Sequence, residues 1–334
     1  MMRAYIIAEA GVNHNGNLDL AFRLCEEAKK AGVDAVKFQT WKTEKIVTCS
    51  AQLASYQEKN IQDVSLSQYE MLKRLELSYE QFIQLQSFCR ELDIEFLSTP
   101  DEEDSLDFLM RLGLPFIKIG SGEVTNIPYL RKIGMYRKPV VLSTGMSTIG
   151  QVSLAYDTLL SSGASEVTLL HCTTNYPCPM GEVNLRAMQT LKETFKCRVG
   201  YSDHTMGIEV PIAAVAMGAT LVEKHFTLDR NMAGPDHKAS LNPLELKQMV
   251  VAIRNIEDAL GDGIKRPNKS ELNISGVVLK SIVAKCPILK GEVLTADNLT
   301  VKRVGSGISA AYWDLLLGTT ASLDYSTDEP IQLQ

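Results

Sequence analysis

Five ionisable residues in this chain of 334 stand in or close after short strand-like runs, where a buried site could use them. They are Glu9 after Tyr5-Ile6-Ile7-Ala8, Lys37 between Val36 and Phe38, Lys118 between Ile117 and Ile119, His204 after Tyr201-Ser202-Asp203, and His225 after Leu221-Val222-Glu223-Lys224. Lysine is almost never buried unless it is paired or used. With the hydroxyls of Thr99, Ser121 and Ser143, Lys37 and Lys118 would surround one point with two cations and several donors, which describes a phosphate or phosphocarboxylate site. The competing reading of either lysine is an ion pair between core layers, and of the hydroxyls, helix caps. His204 and His225 are too few for a closed structural zinc site but suit a catalytic divalent ion that keeps positions open, or else they are hydrogen-bonded imidazoles without a metal. His14 and His237 carry weaker signals, and His171, inside an apolar run, is expected to be a satisfied core residue. Two turn formers in Ala233-Gly234-Pro235-Asp236-His237 bring Asp236 near the same end of the fold, for sugar hydroxyls or as a helix cap.

Residues so far apart in sequence need a scaffold that gathers them. From Ala4 to about Gly261 the chain repeats a short Val/Ile/Phe-rich run followed by an amphipathic helical stretch, the rhythm of parallel βα units. Strands are expected near 4–9, 34–39, 94–98, 116–120, 139–143, 167–172, 198–202 and 221–226, with helices such as one from Leu18 stopping at Gly32 and a last one over 243–260. Eight such units in about 260 residues predict a (β/α)8 TIM barrel, whose chemistry sits at the C-terminal strand ends. All eight expected ends carry polar groups, including Gln39, Glu123, Thr173 to Tyr176 and Ser202. The stretch 41–65 is long for a βα loop and is expected to be functional. Domain boundaries are read as a barrel over 1–262, a polar, Pro-containing linker over 263–274 and a small, mostly β module over 275–334.

Composition excludes several classes. With 45% hydrophobic and 22% charged residues the chain is an ordinary globular protein. Its net charge of -6, without any basic block, lacks a nucleic-acid footprint, so no nucleic acid is expected as a partner. Apolar stretches fall short of the ~20 residues of a membrane span, and the start is too short for a secretory h-region, so a cytoplasmic protein without a membrane partner is expected. Seven scattered cysteines without a CxxC pair suggest mostly buried thiols rather than disulfides or a zinc ribbon.

Taken together, Ile7-Ala8-Glu9-Ala10-Gly11-Val12-Asn13-His14-Asn15-Gly16, Val36-Lys37-Phe38-Gln39-Thr40, Lys118-Ile119-Gly120-Ser121-Gly122-Glu123, Leu142-Ser143-Thr144-Gly145-Met146, Tyr201-Ser202-Asp203-His204-Thr205, Glu223-Lys224-His225-Phe226-Thr227 and Gly234-Pro235-Asp236-His237 resemble the sialic acid synthase family. The tail from Ser281 through Ile308 resembles that family's antifreeze-like (SAF) module, so the resemblance spans essentially the whole chain. It implies a metal-dependent transferase that condenses phosphoenolpyruvate with an N-acetylated hexose. It further implies that Lys37, Thr99, Lys118, Ser121, Ser143 and Ser202 hold phosphoenolpyruvate, and that Gln39, Glu123, Tyr176 and Asp236 surround the acceptor sugar. By the same resemblance His204 and His225 bind the metal, Mn2+ first and Mg2+ or Co2+ next, and Glu9, Lys37 and His225 carry the catalysis. Arg303 matches an arginine that enters the partner's barrel in a domain-swapped homodimer. Thr174 stands where some members carry Asn, which bears on its phosphate contact, and Val304 replaces a common Pro.

The resemblance puts N-acetylmannosamine first as acceptor, giving N-acetylneuraminate, with N,N'-diacetyllegionaminate synthesis from 2,4-diacetamido-2,4,6-trideoxymannose as the alternative and pseudaminate synthesis behind both. Outside the family, a metal-dependent sugar isomerase or aldolase could use the same barrel. A non-catalytic sugar-binding or ice-binding protein would need neither the paired lysines nor the paired histidines.

Overall fold

The computed structural model describes residues 3–53 and 66–332 and divides into two compact units, Met1–Asp262 and Gly263–Gln334. In the first unit eight strands form one parallel ladder: β1 (Tyr5–Gly11), β2 (Ala35–Thr40), β3 (Glu95–Pro100), β4 (Ile117–Ile119), β5 (Pro139–Ser143), β6 (Glu166–His171), β7 (Val199–Asp203) and β8 (Leu221–His225). They run in the order β3-β2-β1-β8-β7-β6-β5-β4, and β3 and β4 at the two ends lie in contact, which closes the sheet into the expected barrel.

Alternation along the strands decides what lies inside. Ile7, Ala35, Leu97, Val141, Leu170 and Leu221 pack together as an apolar layer in the barrel's interior. Because successive side chains alternate faces, the residue two further along each of these strands points inward again. Those residues are Glu9, Lys37, Thr99, Ser143, Cys172 and Glu223. One step along the barrel axis therefore turns a greasy plug into a polar floor. The intervening residues, among them Ala8, Val36, Phe38, Leu142, Leu169 and Val222, face the helices and form the main core.

The helices explain themselves locally. In Leu18–Ala31 the Asn17 side chain accepts from the amides of Asp19 and Leu20, buried Ala21, Leu24, Cys25, Ala28 and Ala31 recur at helical spacing, and Gly32 ends it with φ 83. Capping boxes start the helices at Gln68–Leu75, Tyr79–Glu91, Ile149–Ser161 and Pro243–Leu260. Gly200 on β7 has a different reason: a Cβ there would press on the Leu221 carbonyl oxygen of β8 and on Leu170. Gly200→Ala is expected to destabilise the chain by roughly 1–3 kcal/mol through overpacking. A denaturation midpoint equal to the parent's would show that the strands yield freely.

Of the stretch 41–65, residues Thr43–Ile46 form a short helix, and 54–65 lie outside the described residues. The stretch read as a linker, 263–274, instead holds most of a helix over Lys269–Val278. Its Asn268 and Glu271 form a capping box, which starts a helix despite the polar, Pro-containing lead-in. In the second unit β9 (Ser281–Ala284) pairs antiparallel with β10 (Leu299–Lys302), and Ile282, Ala284, Ile288, Leu294, Leu299 and Tyr325 belong to its separate small core. Among the described residues no helix is long and apolar enough to cross a membrane.

Candidate active site

Above the apolar plug, the C-terminal strand ends enclose a cavity of about 210 Å³. Glu9, Lys37, Gln39, Thr99, Lys118, Ser121, Ser143, Tyr176, Ser202, His204 and His225 line it, so the barrel gathers eleven of the residues singled out in the sequence. Asp236 is buried beside this group, with its Oδ2 3.7 Å from His225 Nδ1. Its side chain does not cap the turn that follows, so the helix-cap reading fails. Glu123 is not among the lining residues, and Asn126 donates to its carboxylate at 2.6 Å. Arg303 is exposed just past β10 in the second unit.

The floor is an electrostatic network. Lys37 Nζ lies 2.7 Å from Glu9 Oε2, donates to Thr99 Oγ1 at 2.9 Å and approaches Glu223 Oε2 at 3.6 Å. Lys118 Nζ donates to Ser143 Oγ at 2.8 Å and to the Ile119 carbonyl at 3.2 Å, and lies 3.4 Å from Glu223 Oε1. Ser202 Oγ donates to the same Glu223 oxygen at 3.1 Å, and Gln39 Nε2 donates to Glu9 Oε1 at 3.0 Å. Burial disfavours ionised Glu223, but Lys118 and Lys37 outweigh it and bring the carboxyl down to about 2. Glu9 behaves oppositely. Its burial and the charge of Glu223 push it up to about 7 against the pull of Lys37. Burial works against charge on Lys37 as well, yet Glu223 and Glu9 hold its pKa above the ordinary lysine value, whereas burial and Lys37 draw Lys118 below it.

This gives the two lysines different characters. Lys37 is held between Glu9 and Glu223, while Lys118 has Glu223 as its carboxylate partner and a pKa below the ordinary lysine value. Ser121 Oγ, 3.1 Å from Cys172 Sγ, accepts the Gly145 amide at 2.9 Å, and a Cβ on Gly145 would overlap the Thr174 hydroxyl, so that glycine lets backbone and hydroxyls crowd together. Thr174 also lines the cavity, and its buried Oγ1 has no hydrogen-bond partner among the described residues.

The histidine side is built to stay neutral. His204 Nδ1 donates to the Thr173 carbonyl at 2.8 Å, which leaves Nε2 as a lone-pair donor. Burial lowers the His204 pKa, and burial together with His204 lowers that of His225 much further. The two ring centroids lie 5.4 Å apart, with the Tyr176 ring 4.1 Å from one and 5.5 Å from the other. His225 Nδ1 is buried without a hydrogen-bond partner among the described residues. Among those residues no three His, Cys, Asp or Glu side chains converge on one point, so a closed protein-only cage is not built. Two neutral imidazoles, one with an orphaned nitrogen, could supply two donors to a divalent ion that keeps its other positions open for substrate and water. Two of the other histidines are spent on structure: His171 Nε2 donates to the Val183 carbonyl at 2.8 Å, and His237 bonds Thr227 and Asn15. His14 Nδ1 accepts the Gly16 amide at 3.0 Å, and its buried Nε2 has no hydrogen-bond partner among the described residues.

Two cavity carboxylates had no role in the sequence reading. Glu223 stands in Leu221-Val222-Glu223-Lys224-His225, where alternation puts Glu223 and His225 on one face and Lys224 on the other, a signal that was available. Asp101, one residue past β3, opens onto the cavity, and burial pushes its carboxyl up to about 7. It follows Pro100 in an irregular position, where no periodicity assigns it a face.

Comparison with known proteins gives the same answer over the whole chain. The NeuB family profile matches residues 24–265 and the SAF domain profile residues 280–334. The N,N'-diacetyllegionaminic acid synthase of Campylobacter jejuni is 50% identical over 334 residues, covering 99% of this chain and 100% of that one. The protein of the same name from Legionella pneumophila is 46% identical, covering 97% of this chain and 92% of its own. Among solved structures, the N-acetylneuraminic acid synthetase of Leptospira borgpetersenii, crystallised with citrate, is 33% identical with a TM-score of 0.71, over 81% of this chain and 90% of that one.

Proposed function

The chain belongs to the NeuB family of sialic acid synthases, and from that premise we propose that it condenses phosphoenolpyruvate with 2,4-diacetamido-2,4,6-trideoxymannose to give N,N'-diacetyllegionaminate and phosphate. The acceptor departs from the N-acetylmannosamine that the motifs put first. Two relatives at 50% and 46% identity, both named diacetyllegionaminic acid synthases, favour the alternative.

The single observation that carries the chemistry is the polar floor: Lys37 and Lys118 at the two oxygens of Glu223, with Thr99, Ser143, Ser121 and Ser202 lining the same cavity. In the proposed reaction these cations and hydroxyls hold the phosphate and carboxylate of phosphoenolpyruvate. Glu223 bridges the two lysines, at 3.6 Å from Lys37 and 3.4 Å from Lys118, and would hold both ammoniums in place for the anion. The open-chain aldehyde of the sugar lies toward Tyr176, Gln39 and Asp236. A divalent ion, Mn2+ by family resemblance, fits His204 and His225 and would supply Lewis acidity at the aldehyde oxygen.

Carbon 3 of phosphoenolpyruvate attacks the aldehyde carbon, forming the new C–C bond and leaving positive character on carbon 2. Water adds to carbon 2 and gives its proton to Glu9, whose pKa of about 7 suits a base at neutral pH. The tetrahedral centre then collapses: its hydroxyl becomes the keto group and gives its proton to the departing phosphate as the C–O bond breaks. The former aldehyde oxygen, left as an alkoxide, takes the proton held by Glu9 to become a hydroxyl. Phosphoenolpyruvate carrying 18O in the bridging oxygen tests this step by mass spectrometry. The label is expected in the released phosphate, and label retained in the sugar acid would mean P–O cleavage and overturn the scheme.

The family resemblance carries one more proposal, a domain-swapped homodimer in which Arg303 of one chain serves the acceptor side of the other's cavity. A monomer by sedimentation with full activity in Arg303→Ala would contradict it.

A further inference from the structure

On the outer side of the barrel wall, behind the two imidazoles, lies an ion pair that the proposed chemistry does not use. Asp203 and Lys224 are fully buried, and Lys224 Nζ donates to Asp203 Oδ2 at 2.5 Å and to the Thr205 carbonyl at 2.5 Å. Asp203 accepts in addition from the Thr205 amide and from the Thr205 hydroxyl, each at 3.0 Å. Asp203 opposite Lys224 is the last paired step of the β7–β8 ladder, and His204 and His225 are the next residues on each strand. Alternation turns Asp203 and Lys224 outward, and Ser202, His204, Glu223 and His225 inward.

A buried ion pair is a poor source of stability, because desolvating both charges offsets their attraction, and an apolar pair would pack such a wall as well. Charges add direction. All of these bonds begin and end within residues 203–205 and 224, so the turn carrying His204 is tied across its base and also to the strand carrying His225.

We propose that Asp203, Lys224 and Thr205 form a positioning clamp that holds the His204 and His225 imidazoles at the spacing one divalent cation requires. The inference rests on the metal reading of those two histidines. Its test is Mn2+ affinity by calorimetry on the full chain, with phosphoenolpyruvate affinity of the metal-free protein alongside. The double variant Asp203→Asn/Lys224→Met removes both charges without orphaning either, and Thr205→Val removes one hydrogen bond while keeping shape and charge.

The double variant is expected to bind Mn2+ about 10–100-fold more weakly, the usual effect of losing groups that orient metal-binding residues. Thr205→Val shifts it the same way by a few-fold, about one hydrogen bond, and carries the test should the double variant fail to fold. Phosphoenolpyruvate affinity falls by less than Mn2+ affinity in both, since Lys37, Thr99, Lys118 and Ser143 stand on other strands and only Ser202 and Glu223 flank the pair. Unchanged Mn2+ affinity in the folded variants overturns the clamp, as does an equal loss of phosphoenolpyruvate affinity, which would mark a purely structural pair. A parent chain whose Mn2+ affinity is indifferent to His204→Ala overturns the metal reading itself, and the clamp with it.

Discussion

Glu9→Gln is expected to cut kcat for phosphate release by about 10²–10⁴-fold, the range lost with a positioned general base, while the KM for phosphoenolpyruvate changes little. The substitution keeps the side chain's size and an oxygen that can accept from Gln39, and Lys37 retains Glu223 at 3.6 Å as its counter-ion. No buried cation is stranded, so the fold should survive, and an unchanged melting curve checks this. What disappears is the carboxylate that can receive a proton from water. Steady-state rates showing full kcat would reduce Glu9 to a partner of Lys37 and remove it from the chemistry.

Lys118→Met is expected to lower kcat/KM for phosphoenolpyruvate by about 10²–10³-fold, the cost of losing one preorganised group on a transferring phosphoryl unit. Methionine matches the lysine stem, and Glu223 keeps its contact with Lys37, so the loss reports on the anion rather than on folding. Burial and Lys37 hold its ammonium below the ordinary lysine value, and a bound anion favours its charged form. A fall confined to the acceptor's KM would move Lys118 to the sugar side of the cavity.

Much of this was legible before any coordinates. The barrel could be read because apolar runs and helix stops recur eight times, and the site because all eight expected strand ends carry polar groups. The structure supplies the alternation behind that site, since five of the six interior apolar residues are succeeded two positions on by a polar one, as Ile7 by Glu9 and Ala35 by Lys37. Glu223 was missed because Glu223-Lys224-His225 presents three ionisable residues in a row, and only the β7–β8 register shows Glu223 opposite Ser202 and Lys224 opposite Asp203. The outer pair was hidden for the same reason. The helix over Lys269–Val278 was lost to composition, although Asn268 and Glu271 carry the spacing of a capping box. The acceptor lay beyond any residue-level argument, because the hydroxyls and acetamido groups that distinguish these sugars leave no charge or periodicity in the chain.

Phosphate release from phosphoenolpyruvate, measured in the presence of Mn2+ with 2,4-diacetamido-2,4,6-trideoxymannose and with N-acetylmannosamine in parallel, tests the central claim most directly. The diacetamido sugar is expected to give the higher kcat/KM by on the order of 10-fold or more, the discrimination that missing polar contacts allow. Equal or faster release with N-acetylmannosamine would return the acceptor to that sugar, and no release with either would contradict the synthase itself.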